Sequence, residues 1–359
     1  MKKRQAGFEL LRIVAMLMII TLHYLDKGGI LPGLTSQPHT AGFLAWGLEA
    51  LCVSAVNVYV LISAWFLAES DYRPGKAVKL WAEVFFYSVG IAAILVMTGV
   101  IAPGELDIYR VMNYVFPVVE EHYWFVTAYL LMYLFAPLMN DTLRKLPRKT
   151  YRQGLVLLIL LLSVSSSILP VRLPIDRLGY DALWFLCLYL VGAYLRYYGF
   201  GEKHSGKKGT CALALAGYFV SSALIYASLL CVYVFYLRTG SLGEFINRQY
   251  QYNSILCLSA SVFLFWAFRN SKIPEGRAAN IICRVASASF GVYLIHEHME
   301  IRYLWPVWLG AGKYAETPWF LLHWAVSILL VYGVCMAIDF VRQAAVGWIR
   351  GRKDSARGA

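Results

Sequence analysis

Apolar stretches of roughly 17 to 25 residues, long enough to cross the ~30 Å hydrocarbon core of a bilayer as helices, recur from one end of this sequence to the other. In order they read as Phe8–Tyr24, Phe43–Leu67, Leu80–Ile101, His122–Met139, Leu155–Leu169, Ala182–Arg196, Cys211–Leu237, Ser254–Phe268, Ile281–His296 and Pro318–Val341. The fifth and sixth are short enough to be tilted, merged or partly re-entrant. Only 15% of the residues are charged, where a soluble domain carries about a quarter, so water is not the main solvent of this chain. The expected fold is all-α: a polytopic transmembrane bundle of about ten helices. With no internal repeat and no Pro/Ser-rich linker, residues 1–345 read as one transmembrane domain and residues 346–359 as a basic cytoplasmic tail. The first span reads as a retained helix and not a cleaved signal, because Asp26 and Lys27 follow it and no small-residue cleavage site does.

Orientation follows from the loops, since Lys and Arg accumulate on the cytoplasmic side of short ones. Alternate segments carry Lys2, Lys3 and Arg4, then Arg73, Lys76 and Lys79, then Arg144, Lys145, Arg148, Lys149 and Arg152, then Arg196, Lys203, Lys207 and Lys208, then Arg269, Lys272 and Arg277, and finally Arg342, Arg350, Arg352, Lys353 and Arg357. The segments between them hold fewer: Lys27, Arg110, Arg172, Arg177, Arg238, Arg248, Arg302 and Lys313. Both termini are therefore expected in the cytoplasm. Topology also accounts for the formal charge of +12: basic residues spread loop by loop along one side do not form a nucleic-acid surface. The cysteines, Cys52, Cys187, Cys211, Cys231, Cys257, Cys283 and Cys335, lie in or at the ends of apolar spans without a CxxC pair, so neither a disulfide framework nor a zinc site is expected.

Ionisable side chains inside a membrane are costly and face the bundle interior, which makes each one a functional candidate. Arg12 and His23 lie eleven positions apart in the first span, three turns at 3.6 residues per turn, so they share nearly one face about 16 Å apart along the axis. Arg12 then lies toward the cytoplasm and His23 toward the outer end. The plain structural alternative is a snorkelling arginine and an interfacial histidine. Against it, other polar groups reach the same outer level: Glu120, Glu121, His122, Tyr123 and Trp124 open the fourth span, His296, Glu297 and His298 close the ninth, and His323 lies in the outer half of the tenth. A carboxylate beside a histidine fixes its tautomer and stabilises its imidazolium, the arrangement of a general base. Glu297 is placed to do this for His23 or for its own neighbours, although adjacent helical residues point about 100° apart, so His296 and Glu297 need not both face inward. Trp46, Tyr123, Trp124, Trp305, Trp308 and Trp319 gather at the outer ends, where an aromatic belt is expected and where a carbohydrate would also find ring faces. Arg73, Lys76 and Lys79 would meet phosphates from the inner side, with positive-inside topology as the simpler account.

Glu9-Leu10-Leu11-Arg12 followed by Thr21-Leu22-His23-Tyr24 resembles the Arg-x10-His motif in the first helix of the acyltransferase 3 family, bacterial membrane O-acyltransferases that modify surface polysaccharides. The segment Asn57–Leu67 with Ser63 resembles the family's second-helix Ser-Gly-aromatic-Leu element, Ala64 standing where glycine is usual. His122-Tyr123-Trp124-Phe125 is similar to its Trp-Phe segment, and Ser289–His296 to its late Tyr-Leu-x-His element. The resemblance runs over nearly the whole chain. It implies a multi-pass protein of the bacterial inner membrane that transfers an acyl group, most often acetyl from acetyl-CoA, to a sugar hydroxyl of a cell-surface polysaccharide or its lipid-linked precursor. His23 would be general base or transient acyl carrier, with Glu297, His296 and His122 as further catalytic candidates. Arg12 and the basic loop Arg73, Lys76 and Lys79 would hold the donor, and Tyr123, Trp124, Asn57 and Ser63 would contact the acceptor. No HExxH and no serine-nucleophile elbow is present, so no metal is expected and a hydrolase is disfavoured. A transporter that uses the intramembrane Arg and His, or a non-catalytic component of a polysaccharide assembly complex, remains open from sequence, though no two-fold symmetry of the halves supports the transporter.

Overall fold

The structure, a computed structural model, describes residues 4–31, 40–71, 73–119, 122–169, 174–199 and 209–357. Glu120 and Glu121, and the loop residues Lys2, Lys3, Arg172, Lys203, Lys207 and Lys208, lie outside the described residues. All regular structure among the described residues is helical.

The ten apolar stretches are each helical. The elements are α1 (Ala6–Lys27), α2 (Thr40–Cys52), α3 (Ala55–Leu67), α4 (Pro74–Met97), α5 (Ile108–Val115), α6 (Trp124–Leu143), α7 (Arg148–Ile159), α8 (Ser165–Ile168), α9 (Ala182–Tyr198), α10 (Thr210–Thr239), α11 (Glu244–Arg248), α12 (Ile255–Arg269), α13 (Arg277–Ala286), α14 (Ser289–His296), α15 (Leu304–Trp308), α16 (Ala311–Ala315) and α17 (Phe320–Arg357). Among the described residues seven stretches are long and apolar enough to cross a membrane: Ala6–Lys27, Thr40–Leu67, Pro74–Met97, Arg148–Ile168, Thr210–Thr239, Arg277–His296 and Phe320–Ile349. Two apolar helices, Ala182–Tyr198 and Ile255–Arg269, are shorter. The last helix continues unbroken past residue 345 to Arg357.

Three of the spans are interrupted, and in each a carbonyl at the break accepts from a side chain distant in the chain, as a bilayer demands. Between α2 and α3 the carbonyls of Val53 and Ser54 accept from Cys257 Sγ at 3.7 Å and Ser261 Oγ at 3.3 Å on α12. Between α7 and α8 a π turn, Leu160–Val164, frees the Leu162 carbonyl for Asn253 Nδ2 at 3.0 Å. Between α13 and α14 the Ser287 carbonyl accepts from Gln343 Nε2 at 3.3 Å. That last break is anchored by Asp339 of α17, which is fully buried and accepts from the Tyr87 hydroxyl at 2.7 Å, Arg342 Nε at 2.8 Å and Gln343 Nε2 at 2.7 Å. Gly291 lies flat against the same carboxyl.

Helix α1 is the axis of the bundle. It packs against α2, α3, α12, α13, α14 and α17, and 67% of its most apolar window is buried, against 28% for α4, α10 and α17, whose outer faces are left apolar for lipid. A polar side chain on α1 therefore points into protein and not into hydrocarbon. The seven cysteines are free.

Candidate active site

At the C-terminal end of α1 the chain turns at Gly28 and Gly29, the latter at φ +68°, a left-handed conformation that glycine adopts without strain. The last two turns of α1 carry His23 and Lys27, four residues apart and so on one face. Helix α14 ends against them. His296 is its last residue and Glu297 caps it at φ −98°, ψ 5°, where the backbone has already left the helix. Both side chains reach the same point.

That point is His23 Nδ1. It lies 3.0 Å from His296 Nε2 and 3.0 Å from Glu297 Oε2. Lys27 Nζ bonds Glu297 Oε2, and Arg302 Nη1 lies 3.5 Å from Oε1. The tautomers follow from the acceptors. His296 Nδ1 lies 2.6 Å from the Val292 carbonyl, which only accepts, so that nitrogen carries hydrogen and neutral His296 offers a lone pair at Nε2. His23 Nδ1 then faces two acceptors, a lone pair and a carboxylate, and must be the protonated nitrogen. Its Nε2 is left as the basic atom, and no described residue hydrogen-bonds it.

His23 and Glu297 line a cavity of about 620 Å³, together with Asp26, Lys27, Glu49, Trp124, Tyr180, Tyr250, Gln251 and Tyr252, over an apolar floor that includes Met16, Tyr59, Phe125, Phe290 and Tyr293. Trp124 stacks on Tyr252 with centroids 5.8 Å apart and leans on Tyr180 at 4.7 Å. The segment carrying Leu178 and Tyr180 is pinned over the cavity by Asp176, which accepts from Leu178 N at 2.7 Å, Ser166 Oγ at 2.8 Å and Asn253 Nδ2 at 2.9 Å. The site thus offers one basic nitrogen, held by a carboxylate, beside a pocket of rings, amides and carboxyls.

The ligand atoms of His23, His296 and Glu297 lie within 4.8 Å of one another, a spacing that a metal ion can bridge. The donor set fits one poorly, because the Lys27 ammonium already bonds the carboxylate oxygen that a cation would need.

Of the residues singled out in the sequence, His23, His296, Glu297 and Trp124 converge here. His122, Tyr123 and Asn57 do not line the cavity. His122 is buried with Nε2 accepting the Met299 N–H at 2.8 Å, Tyr123 is fully buried with its hydroxyl on the Leu294 carbonyl at 2.7 Å, and Asn57 bonds the Tyr252 carbonyl at 2.7 Å and Trp184 Nε1 at 3.0 Å. The Tyr123 and Asn57 polar groups and His122 Nε2 are engaged in supporting the walls. His122 braces the segment after Glu297, which His298 ties to the Ser88 carbonyl at 3.0 Å and which Glu300 ties to Arg110 at 2.8 Å. His323 holds Tyr24 at 2.8 Å.

Arg12 lies half-buried three turns away, paired with Glu9 at 2.6 Å and 6.0 Å from the Phe66 ring. Tyr59, which lines the cavity floor, donates to the Arg12 carbonyl at 2.6 Å and so ties the N-terminal half of α1 to the floor. Ser63 lies near Tyr129, whose phenol lies in the field of Arg12, and does not line the cavity. Arg73, Lys76 and Lys79 are exposed at the start of α4, where the Arg73 carbonyl accepts from Tyr133 at 3.0 Å.

Sequence reasoning missed Lys27, Glu49, Arg302 and the tyrosines of the wall. Lys27 was legible as the residue four places after His23. Glu49 was legible too, a lone carboxyl inside an apolar span. Arg302, Tyr180, Tyr250 and Tyr252 carried no such signal.

No curated protein and no solved structure matches the chain. A family model described as an acyltransferase domain matches residues 5–340, nearly all of it. A membrane bundle built around the Arg12 and His23 helix, with a match of that extent, belongs to the acyltransferase 3 family and is an acyltransferase.

Proposed function

We propose that the protein is a membrane-embedded O-acyltransferase that moves acetyl from acetyl-CoA to a sugar hydroxyl of a cell-surface polysaccharide or its lipid-linked precursor, in a bacterial inner membrane. The observation that carries this reading is the tautomer of His23: two acceptors hold its Nδ1–H and leave Nε2 basic toward a cavity rich in aromatic rings, the kind of surface on which sugars stack. In this reading ten helices span the bilayer, the three interrupted spans counting once each. Both termini are cytoplasmic, as the distribution of Lys and Arg supports.

In the reaction the acceptor hydroxyl gives its proton to His23 Nε2 as its oxygen attacks the thioester carbonyl. Glu297 stabilises the imidazolium that forms. The C–S bond then breaks, and the imidazolium returns the proton to the departing thiolate, so no net proton is consumed. Lys27 and Arg302 hold the Glu297 carboxyl in place. Arg12, with Arg73, Lys76 and Lys79 nearer the surface, meets the phosphates of the donor from the cytoplasm. Trp124, Tyr180 and Tyr252 form the acceptor platform.

The test is the acylation of surface glycan, by mass spectrometry of the released material, in a deletion strain complemented with wild type, His23→Ala or Arg12→Ala at matched membrane levels. Wild type restores the acyl mass and His23→Ala does not. Equal restoration by His23→Ala removes the proposed base, and unchanged acylation on deletion removes the acyltransferase role in glycan modification.

A further inference from the structure

We infer that Glu49 is the acceptor-binding carboxyl of the cavity, taking a hydrogen bond from a hydroxyl next to the one that is acylated and so setting the acceptor against His23. The inference rests on the acyl-transfer reading above and adds the residue that holds the acceptor.

Three carboxyls line the cavity. Glu297 is engaged by Lys27, Arg302 and His23. Asp26 is exposed at the mouth, where water serves it. Glu49 differs from both. It sits on α2, within a stretch apolar and long enough to span the membrane, and its Oε2 is buried and makes no hydrogen bond in the structure. Among the described residues Glu49 has no ion pair. Buried polar atoms are almost always partnered, and a carboxyl at membrane depth is kept only at a cost. An unpartnered one that faces a cavity is therefore placed for a ligand.

The position says what the ligand brings. His23, Asp26 and Glu49 line one cavity, so Glu49 and the basic imidazole open on one space. The partner of a carboxyl oxygen must be a hydrogen-bond donor or a cation. Lys27 is the one ammonium in the lining and is already bound to Glu297. A hydroxyl-bearing saccharide supplies donors, whereas a carboxylate or a phosphodiester supplies none. The part of the acceptor held here is thus an uncharged, hydroxyl-rich sugar ring, stacked on Trp124 and Tyr252 and bonded edge-on by Glu49.

The experiment measures transfer of radiolabelled acetyl from acetyl-CoA in native membranes to the host's own surface glycan, released and de-O-acylated with mild base. Glycan concentration is varied for wild type, Glu49→Gln, Glu49→Asp and His23→Ala at matched membrane levels. Loss of one hydrogen bond to the carboxyl in the isosteric Glu49→Gln raises the glycan KM about tenfold, with kcat and the acetyl-CoA KM within about twofold of wild type. Glu49→Asp, which keeps the carboxyl, binds the glycan better than Glu49→Gln. A glycan KM within twofold of wild type in Glu49→Gln, or a fall in kcat with KM unchanged, overturns the inference while leaving the reading beneath it intact. Transfer by His23→Ala at the wild-type rate, or no transfer by wild type, overturns that reading itself and the inference with it.

Discussion

Replacing Glu297 by glutamine removes one charge and almost no volume at the centre of the site, and its effect follows from the geometry. His23 Nδ1 and Glu297 Oε2 are 3.0 Å apart, which corresponds to about 5 kcal/mol between unit charges at an effective dielectric of about 20. That attraction exists in full only when His23 is an imidazolium, during acyl transfer. Water at the fifth of the His23 side chain that is exposed, together with the opposing fields of Lys27 and Arg302, reduces it to about 3 to 5 kcal/mol, or between two and four orders of magnitude in kcat. The assay is transfer from labelled acetyl-CoA to released glycan at saturating concentrations of both. The double variant Lys27→Met/Glu297→Gln controls for folding, because it removes the opposite charges together; it reaches wild-type membrane levels and stays as inactive as the single variant. His296→Gln loses at most about tenfold, since Glu297 still accepts the Nδ1–H. A Glu297→Gln enzyme that keeps more than a tenth of wild-type kcat refutes the assignment of His23 as a carboxylate-supported base.

Arg12→Ala raises the KM for acetyl-CoA about tenfold or more and leaves the glycan KM unchanged; an unchanged acetyl-CoA KM removes Arg12 from the donor site. Gly291→Ala places a methyl group on the Asp339 carboxyl and must break the Tyr87, Arg342 and Gln343 bonds to it, lowering stability by about 3 kcal/mol in thermal unfolding of detergent-solubilised protein; a change under about 0.5 kcal/mol contradicts the packing described. Stability falls on acidification. Burial pushes His298 down to about 4, below its unfolded value of about 6.5, so between these limits the unfolded chain binds the extra proton and up to about 1.4 kcal/mol is lost per pH unit. Burial alone would raise Glu300, but Arg110 and Tyr114 hold it below its usual value, and its contribution is present above about pH 4.3 and lost as the pH drops through the folded value. The unfolding midpoint declines from pH 6.5 downward and does so less steeply in His298→Asn; a midpoint flat from pH 7.5 to 5 contradicts this.

Hydropathy along the chain determined that it is a helical membrane protein, because a bilayer admits helices of one approximate length and leaves their sequences conspicuously apolar. The 3.6-residue period determined that Arg12 and His23 share a face, and the same period carried Lys27 beside His23. The interruptions were not legible. Phe43–Leu67 and Ile281–His296 each read as one apolar run, and the donors at their breaks come from distant helices, such as Cys257 for Val53 or Gln343 for Ser287. Only the tertiary structure decided that His296 and Glu297 both meet His23, because their convergence depends on α14 ending between them. It also separated residues that looked alike in sequence. His122, His298 and His323 lie at the same level as His23, yet each is spent on a backbone or tyrosine partner. A polar side chain at membrane depth announces that it has a partner, and only the packing of helices far apart in the chain determines whether that partner is protein or substrate.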